Sequence, residues 1–283
     1  MLIDTHCHLH DPQWFTPEQQ TQFLKNAHEN DVQKIICIGT APEDSAVAHD
    51  FAERHEDVYW TYGIHPEFAS RDYSTVFLTR EGVANLQEHN YRAGTGQNHG
   101  PSGLDFESAT APANGNPRSQ ESSKLVAIGE IGLDYHYEGY NRDDQIRLFE
   151  QMLQLALDLD LPVSLHLRES FADAFAVLDN FPKTQGVIHS FTGSKRDLRQ
   201  ALERGFYIGI NGLATYTTPP LPPLENIVLE TDAPFLTPEP LRGTINEPGY
   251  VKIIASYLAG KLGVAESTIV EQTTQNARKI FQV

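Results

Sequence analysis

The sequence predicts an α/β protein of the (β/α)8 class, a TIM barrel. Eight short runs of β-branched and aliphatic residues are spaced along the chain, and helical patterns lie between most of them. Most runs are apolar throughout rather than alternating, as in parallel strands that are covered on both faces. A doubly wound open sheet is the alternative, but no glycine-rich phosphate-binding fingerprint follows any of the runs.

The predicted strands share an apolar core and, in several cases, a polar residue at the carboxyl end. They are Leu2–Leu9, Lys34–Thr40, Val58–His65, Leu125–Leu133, Pro162–Leu167, Gly186–Phe191, Phe206–Asn211 and Asn226–Thr231.

Several helices are predicted from their start and stop signals. Pro17 and Pro42 each suit the first turn of a helix, and Asn141 can cap the clearest one. Ser194–Arg204 is amphipathic and is followed by Gly205, a residue that ends helices. Two further helical segments, Gly249–Leu262 and Ala265–Phe281, close the chain.

Two segments depart from the alternation of strands and helices. Residues 92–124 are rich in Gly, Ser, Asn and Pro and cannot bury enough apolar surface to offset chain entropy, which predicts a disordered surface insertion. Residues 216–225 contain four prolines, so the crossover between strands seven and eight is predicted to be short and extended rather than helical. We expect the chain from 1 to 283 to form one barrel.

The composition limits the classes of partner. A net charge of −17 disfavours binding of a nucleic-acid duplex along a broad basic face. Cys7 and Cys37 do not make a disulfide framework, which favours a reducing compartment. The N-terminus lacks a signal-peptide pattern and no apolar run reaches membrane-spanning length. We therefore expect a cytoplasmic protein without a membrane partner, and no obligate protein partner is evident.

Six side chains of metal-binding type are placed at the ends of predicted strands. In a strand, residues two apart point to the same face, so His6 and His8 are both expected to enter the barrel mouth, while Cys7 faces the helices. Active sites in this fold are built at the carboxyl ends of the strands. The six are His6, His8, Glu130, His166, His189 and Asp232.

Each of these signals is weak when taken singly. An isolated His-x-His pair can be two ordinary histidines, and Glu130 between its glycines can form a structural salt bridge instead of binding metal. Asp134 and His136 could support the site, but we favour solvated loop positions for both. Taken together, the nitrogen and oxygen ligands suit two divalent ions, either Mg²⁺, Mn²⁺ or Zn²⁺, of the kind that serve hydrolysis.

The chain resembles the TatD family of metal-dependent deoxyribonucleases, which belongs to the amidohydrolase-like barrels. The motifs that carry the resemblance occur in the family's order from Met1 to about Val251, and QTTQNARKIF resembles its last helix. They are DTHCHL, GIHP, AIGEIGLDYH, PVSLHLRES, VIHSFTG, FYIGINGL, LETDAPFL and RGTINEP. The chain departs from the family at Ser190, at Thr244 and Ile245, in the insertion, and in the short seventh crossover.

The resemblance implies a role for each matching residue. His6, His8, Glu130 and Asp232 match ligands of one ion, and Glu130 bridges to a second ion held by His166 and His189. Asp232 and Glu130 are thus the catalytic candidates, with Asp232 orienting or deprotonating the attacking water. His65 matches a histidine near the substrate phosphate, and Arg168, just beyond His166, is a further candidate for phosphate contact.

The expected activity is two-metal hydrolysis of DNA phosphodiesters. Because the chain is acidic, a strand end or single-stranded DNA, held by a few contacts, is favoured over a long duplex, which predicts exonuclease-like action. One alternative retains the metal site but hydrolyses an ester or cyclic amide, for example in a misacylated tRNA. Another is a catalytically weak barrel that serves as an interaction scaffold.

Overall fold

The protein is described by a computed structural model that covers residues 1–71, 73, 75–88 and 124–283. The insertion predicted over 92–124 lies, apart from Lys124, outside these described residues.

Eight parallel strands form one sheet in sequence order, and a parallel bridge between Cys7 and Ala233 joins the end of the first strand to the segment after the last one. The predicted barrel is therefore confirmed. The strands are β1 (Leu2–Cys7), β2 (Val32–Cys37), β3 (Val58–Tyr62), β4 (Leu125–Asp134), β5 (Val163–Arg168), β6 (Gly186–Ile188), β7 (Tyr207–Ile210) and β8 (Ile227–Leu229).

The helices in the described residues surround this sheet. They are α1 (Pro17–Glu29), α2 (Pro42–Glu53), α3 (Arg80–Glu88), α4 (Arg142–Leu159), α5 (Phe171–Leu178), α6 (Lys195–Glu203), α7 (Val251–Leu262) and α8 (Glu266–Phe281). Sequence reasoning assigned no bounds to α3 or α5.

The predicted start signals act as caps. The Asn141 side chain accepts hydrogen bonds from the backbone of Asp143 and Asp144 at the start of α4. Thr16 forms a capping box with Gln19 at α1, and Ser194 forms one with Asp197 at α6. These caps fix the residue at which each helix begins, and so the length of the loop between the helix and the preceding strand.

The crossover between β7 and β8 contains no α-helix, as predicted. It has short 3-10 turns at Gly212–Thr215 and Leu224–Asn226. α8 packs against β8 and β1 instead, and α7 contacts both strands as well. The last two helices therefore cover the part of the barrel that the seventh crossover leaves open.

Among the described residues, two clusters of buried side chains make up the core. The larger one joins the strands to the surrounding helices. The smaller one joins residues of six strands, such as Ile36 and Val228, to Ile280 and Phe281 at the end of α8. Cys7 is fully buried in the larger cluster, as expected for an apolar role.

No single helix in the described part of the chain is long and apolar enough to cross a membrane. The bent pair Pro248–Leu262 and Glu266–Phe281 passes that test by length and composition only, and α7 and α8 within it pack on the barrel.

Candidate metal centre

The six strand-end residues predicted as metal ligands converge at the carboxyl end of the barrel. His6, Glu130 and His166 lie on β1, β4 and β5, while the other three follow β1, β6 and β8 directly or within three residues. Five are buried and His166 is partly buried. Their convergence follows from the sheet, because parallel strands of a barrel end at one rim.

His6, His8 and Asp232 form the first group of closely spaced ligand atoms. Nε2 of His6 lies 3.6 Å from an oxygen of Asp232 and 3.6 Å from an oxygen of Glu130. Nε2 of His8 lies 3.7 Å from the same Asp232 oxygen. These gaps exceed ordinary hydrogen bonds.

The unpaired Nε2 of His6 tests whether a metal ion fits between these side chains. Its Nε2 is buried and makes no hydrogen bond within the described residues, which is costly for a polar atom. Two ligand atoms on one ion, each bonded at about 2.1 Å, lie roughly 3 to 3.6 Å apart. The spacing around His6 therefore fits a shared divalent cation better than it fits direct contacts.

His6 and His8 each have a partner at Nδ1, the ring nitrogen that does not face the carboxylates. Nδ1 of His8 lies 3.1 Å from the carbonyl oxygen of Ile38, which requires a proton on Nδ1 and leaves Nε2 free to bind a cation. Nδ1 of His6 faces the hydroxyl of Ser164 at 3.5 Å.

Glu130, His166 and His189 are packed more tightly. Oε1 of Glu130 lies 2.8 Å from Nδ1 of His166 and 2.7 Å from Nε2 of His189. Oε2 of Glu130 faces the other way, towards His6 and, at 4.0 Å, His8. One carboxylate therefore presents one oxygen to each group of histidines.

Burial and neighbouring charges set the protonation of the centre. Burial opposes ionisation of Glu130, but the charge of His189 and the hydrogen bond with His166 hold the pKa of Glu130 well below its usual range. Burial and the charge of His189, whose ring stacks on His6 at 3.9 Å, lower the pKa of His6 to about 4. An ionised carboxylate and a neutral imidazole are the forms that bind metals.

Asp134 lies inside the site, so the solvated position favoured from sequence is wrong for it. Its side chain is buried, and Oδ2 lies 2.9 Å from Nε2 of His166. His65, Asp134 and His166 make a further set of closely spaced ligand atoms. Burial lowers the pKa of His166, but hydrogen bonds with Asp134 and Glu130 outweigh burial and raise this pKa to about 10. His136 is partly exposed and pairs with Glu169.

The two predicted substrate contacts lie beside the six ligand candidates. Nε2 of His65 is 3.9 Å from Oε1 of Glu130, and its Nδ1 accepts a hydrogen bond from the backbone of Glu67. Burial and the charge of His166 lower the pKa of His65 to about 3. Arg168 lies farther out, over the ring of Tyr137.

Sequence reasoning missed Glu230, two residues before Asp232. Its buried Oε1 accepts hydrogen bonds from the backbone of Ser190 and the side chain of Asn211 and lies 3.9 Å from Nδ1 of His189. Burial raises the pKa of Glu230 to about 7. The signal that could have identified it is a carboxylate within the apolar strand predicted over Asn226–Thr231.

His10 was also missed. Its Nε2 lies 2.9 Å from Asp44, and Thr40 donates to the other oxygen of that carboxylate. This partly buried pair ties the chain just after His8 to the start of α2.

An open cleft of about 700 Å³ leads to the centre. Its lining combines ligand candidates such as Glu130 and Asp232 with aromatic side chains at the outer rim, including Trp14, Tyr137 and Phe235. Such a cleft admits a substrate to a site that is polar inside and partly apolar outside.

Comparison with known proteins identifies similar chains over the whole length. Residues 3–282 match the model of the TatD related DNase family. The uncharacterized metal-dependent hydrolase YabD of Bacillus subtilis is 29% identical over 100% of both chains. The 3'-5' ssDNA/RNA exonuclease TatD of Pantoea ananatis is 32% identical, with 91% of each chain covered.

The fold has a close counterpart among solved structures. The crystal structure of YjjV, a TatD homolog from Escherichia coli K12, superposes with a TM-score of 0.79 at 28% identity, covering 100% of this chain and 98% of that one.

Proposed function

Since the chain belongs to the TatD related DNase family and is a metal-dependent hydrolase, we propose that it cleaves phosphodiester bonds of DNA, acting like an exonuclease on strand ends. The proposal includes a centre of two divalent ions held by His6, His8, Glu130, His166, His189 and Asp232.

The position of Glu130 is the observation that carries the two-ion proposal. Its Oε2 faces His6 and His8, and its Oε1 faces His166 and His189. A carboxylate between two sets of imidazoles is suited to bridge two cations, and centres with ions about 3.5–4 Å apart serve phosphodiester hydrolysis.

Asp232 is the proposed proton acceptor. When bound, the ions would supply a water of lowered pKa and would neutralise the charge of the phosphate. Asp232 lies at the edge of the cleft, with one oxygen 3.6 Å from His6, so its carboxylate can orient that water and take up its proton. His65 and Arg168 line the same cleft and are the proposed contacts to the phosphate.

The relatives' names favour a nucleic acid as the substrate. The relative from Pantoea ananatis is named as an exonuclease of single-stranded DNA and RNA. The net charge of −17 leaves little electrostatic attraction for a long duplex, so a strand end held at the centre is the better substrate. Cys7 and Cys37, both free thiols, are compatible with the cytoplasm, where we place the protein.

A chelated sample tests the proposal on end-labelled single-stranded DNA. Restoring Mg²⁺, Mn²⁺ or Zn²⁺ one at a time is expected to restore stepwise shortening from one end with at least one ion. Glu130→Gln should abolish it, whereas Glu138→Gln, an exposed neighbour on the loop after β4, should not.

Equal cleavage by the Glu130→Gln protein would show that the nuclease is a contaminant. Metal-dependent turnover of carboxylic esters or cyclic amides in the absence of DNA cleavage would favour the alternative substrate class instead. Lack of every hydrolytic activity, with metals bound, would favour the scaffold.

A further inference from the structure

Two large aromatic side chains are exposed side by side at the rim of the cleft. Trp14 is 43% exposed and Phe235 is 42% exposed, and their rings meet edge to face at 5.1 Å. Leaving two such rings in water forgoes the free energy of burying them, and a paired exposed patch of this kind marks a binding surface.

Hydrogen bonds fix the backbone that carries both rings. The amide of Trp14 donates to the carbonyl of Asp11, and the next residue, Phe15, is fully buried. The amide of Phe235 donates to the carbonyl of Asp232, and the side chain of Asn246 donates to the carbonyl of Phe235. The Trp14–Phe235 pair is therefore carried on a fixed backbone, which reduces the ordering that is needed when a ligand binds.

The Trp14–Phe235 pair begins next to the candidate metal centre and extends outward from it. The Phe235 ring lies 6.3 Å from the ring of His8, and Trp14 lies beyond Phe235. A group attached to a phosphate at the centre would meet Phe235 first and Trp14 next.

Outside the centre, the charged residues that line the cleft provide little attraction for the phosphates of a nucleic acid. Among the described lining residues, Arg168 is the only Lys or Arg, whereas five are carboxylates: Asp11, Glu67, Glu130, Asp134 and Asp232. Affinity for a nucleic acid must then come from another source. Stacking of bases on aromatic rings is such a source, and it tolerates any sequence because every base has a π-face.

We propose that the Trp14–Phe235 pair is a stacking platform for the nucleobase next to the scissile phosphate. This rests on the proposed function. A base that is paired within a duplex keeps both faces covered by its neighbours and cannot use the platform.

Tryptophan fluorescence tests the platform directly, because the chain has only two tryptophans. Trp60 is fully buried and serves as an internal reference, while Trp14 is exposed. The probes are a thymidine oligonucleotide with hydrolysis-resistant phosphorothioate linkages and an abasic oligonucleotide with the same backbone, both titrated into the protein with Mg²⁺ or Mn²⁺.

The base-bearing probe should quench Trp14 emission and bind about tenfold more tightly than the abasic probe. Because the Trp14 variants lack the reporting ring, affinities are compared by the anisotropy of a fluorescein label on each probe. Trp14→Ala or Phe235→Ala should remove that advantage, and Trp14→Phe should keep most of it. The matched control is Tyr140→Ala, which removes an exposed ring that stacks on Tyr135 outside the cleft and should change nothing.

Equal affinity for the two probes, no binding of either, or a base-dependent affinity that survives Trp14→Ala would overturn the platform. Cleavage of an abasic phosphodiester strand separates this result from the proposed function, since that reaction needs the metal centre but no base. If the abasic strand is cleaved while the base preference is absent, the platform fails and the nuclease remains.

Discussion

Thr231 hydrogen-bonds to Asp4 twice, through its hydroxyl at 2.6 Å and its backbone amide at 2.8 Å. Both residues are buried, and burial raises the pKa of Asp4 well above its usual range. The pair connects the first strand to the segment after the eighth one, next to His6 on one side and Asp232 on the other. This contact thus helps to close the barrel beside two candidate ligands.

Thr231→Val is expected to lower the free energy of unfolding by about 1–3 kcal/mol, because it leaves a buried oxygen of Asp4 without its donor. Urea denaturation measures this loss. Thr21→Val is the control, since it removes an exposed hydroxyl that bonds only the backbone of α1. Equal stability of the Thr231→Val protein and the parent would refute the role of this contact.

Removal of metal is expected to lower the thermal midpoint, because the buried Nε2 of His6 and the carboxylates around it lose their common partner. At free metal about 100-fold above the dissociation constant, binding contributes about 2.7 kcal/mol to stability. Calorimetry with and without chelator measures the difference, which should shrink in Glu130→Gln. The four samples are the parent and Glu130→Gln, each with and without chelator. Identical melting curves in all four would argue against a metal at this position.

Asp134→Ala is expected to weaken metal binding about 10- to 100-fold by releasing Nε2 of His166, whose other nitrogen faces Glu130. Competition with a chromophoric chelator gives the affinity. Asp158→Ala, an exposed position on α4, is the control. If affinity is unchanged, His166 does not depend on Asp134 for its orientation.

Gly132→Ala is expected to cost at least about 2 kcal/mol of stability. Gly132 has φ of +143°, and a Cβ there would lie 2.0 Å from the carbonyl oxygen of His166. Gly260→Ala, where no atom lies within 4 Å of the new Cβ, should instead stabilise α7 by about 0.5–1 kcal/mol. Thermal melts of both variants should move in opposite directions, and a shift in the same direction would contradict this explanation.

Much of the centre could be predicted because it depends on strand periodicity and on the common rim of a barrel. His6 and His8 are two residues apart on the first strand, and Glu130 and His166 interrupt or end apolar strands that a parallel sheet must bring to one edge. The short seventh crossover was also predictable, because a helix cannot continue through four prolines.

The remainder depends on contacts that leave no local pattern. The carbonyl of Ile38 that orients His8 is a backbone group, which any residue could supply. Asp134 sits where a strand meets a loop, and only the position of the neighbouring β5 decides that it faces His166 rather than water. α5 was not assigned although Phe171, Ala174 and Phe175 lie at helical spacing, because its eight residues are mostly apolar and a run that short could equally be a buried strand.

The covering of the first and eighth strands by the last helix affects how this protein is made. The hydroxyl of Thr274 donates to the carbonyl of Met1, a contact that spans 273 positions of the chain, and Asn276 donates to the carbonyls of Leu224 and Ile227. During synthesis the first strand leaves the ribosome long before α8 does, and until then its outward side has no cover. We therefore expect the chain to complete its fold only after α8 has left the ribosome, so the preceding interval of translation is when a nascent copy most needs a chaperone.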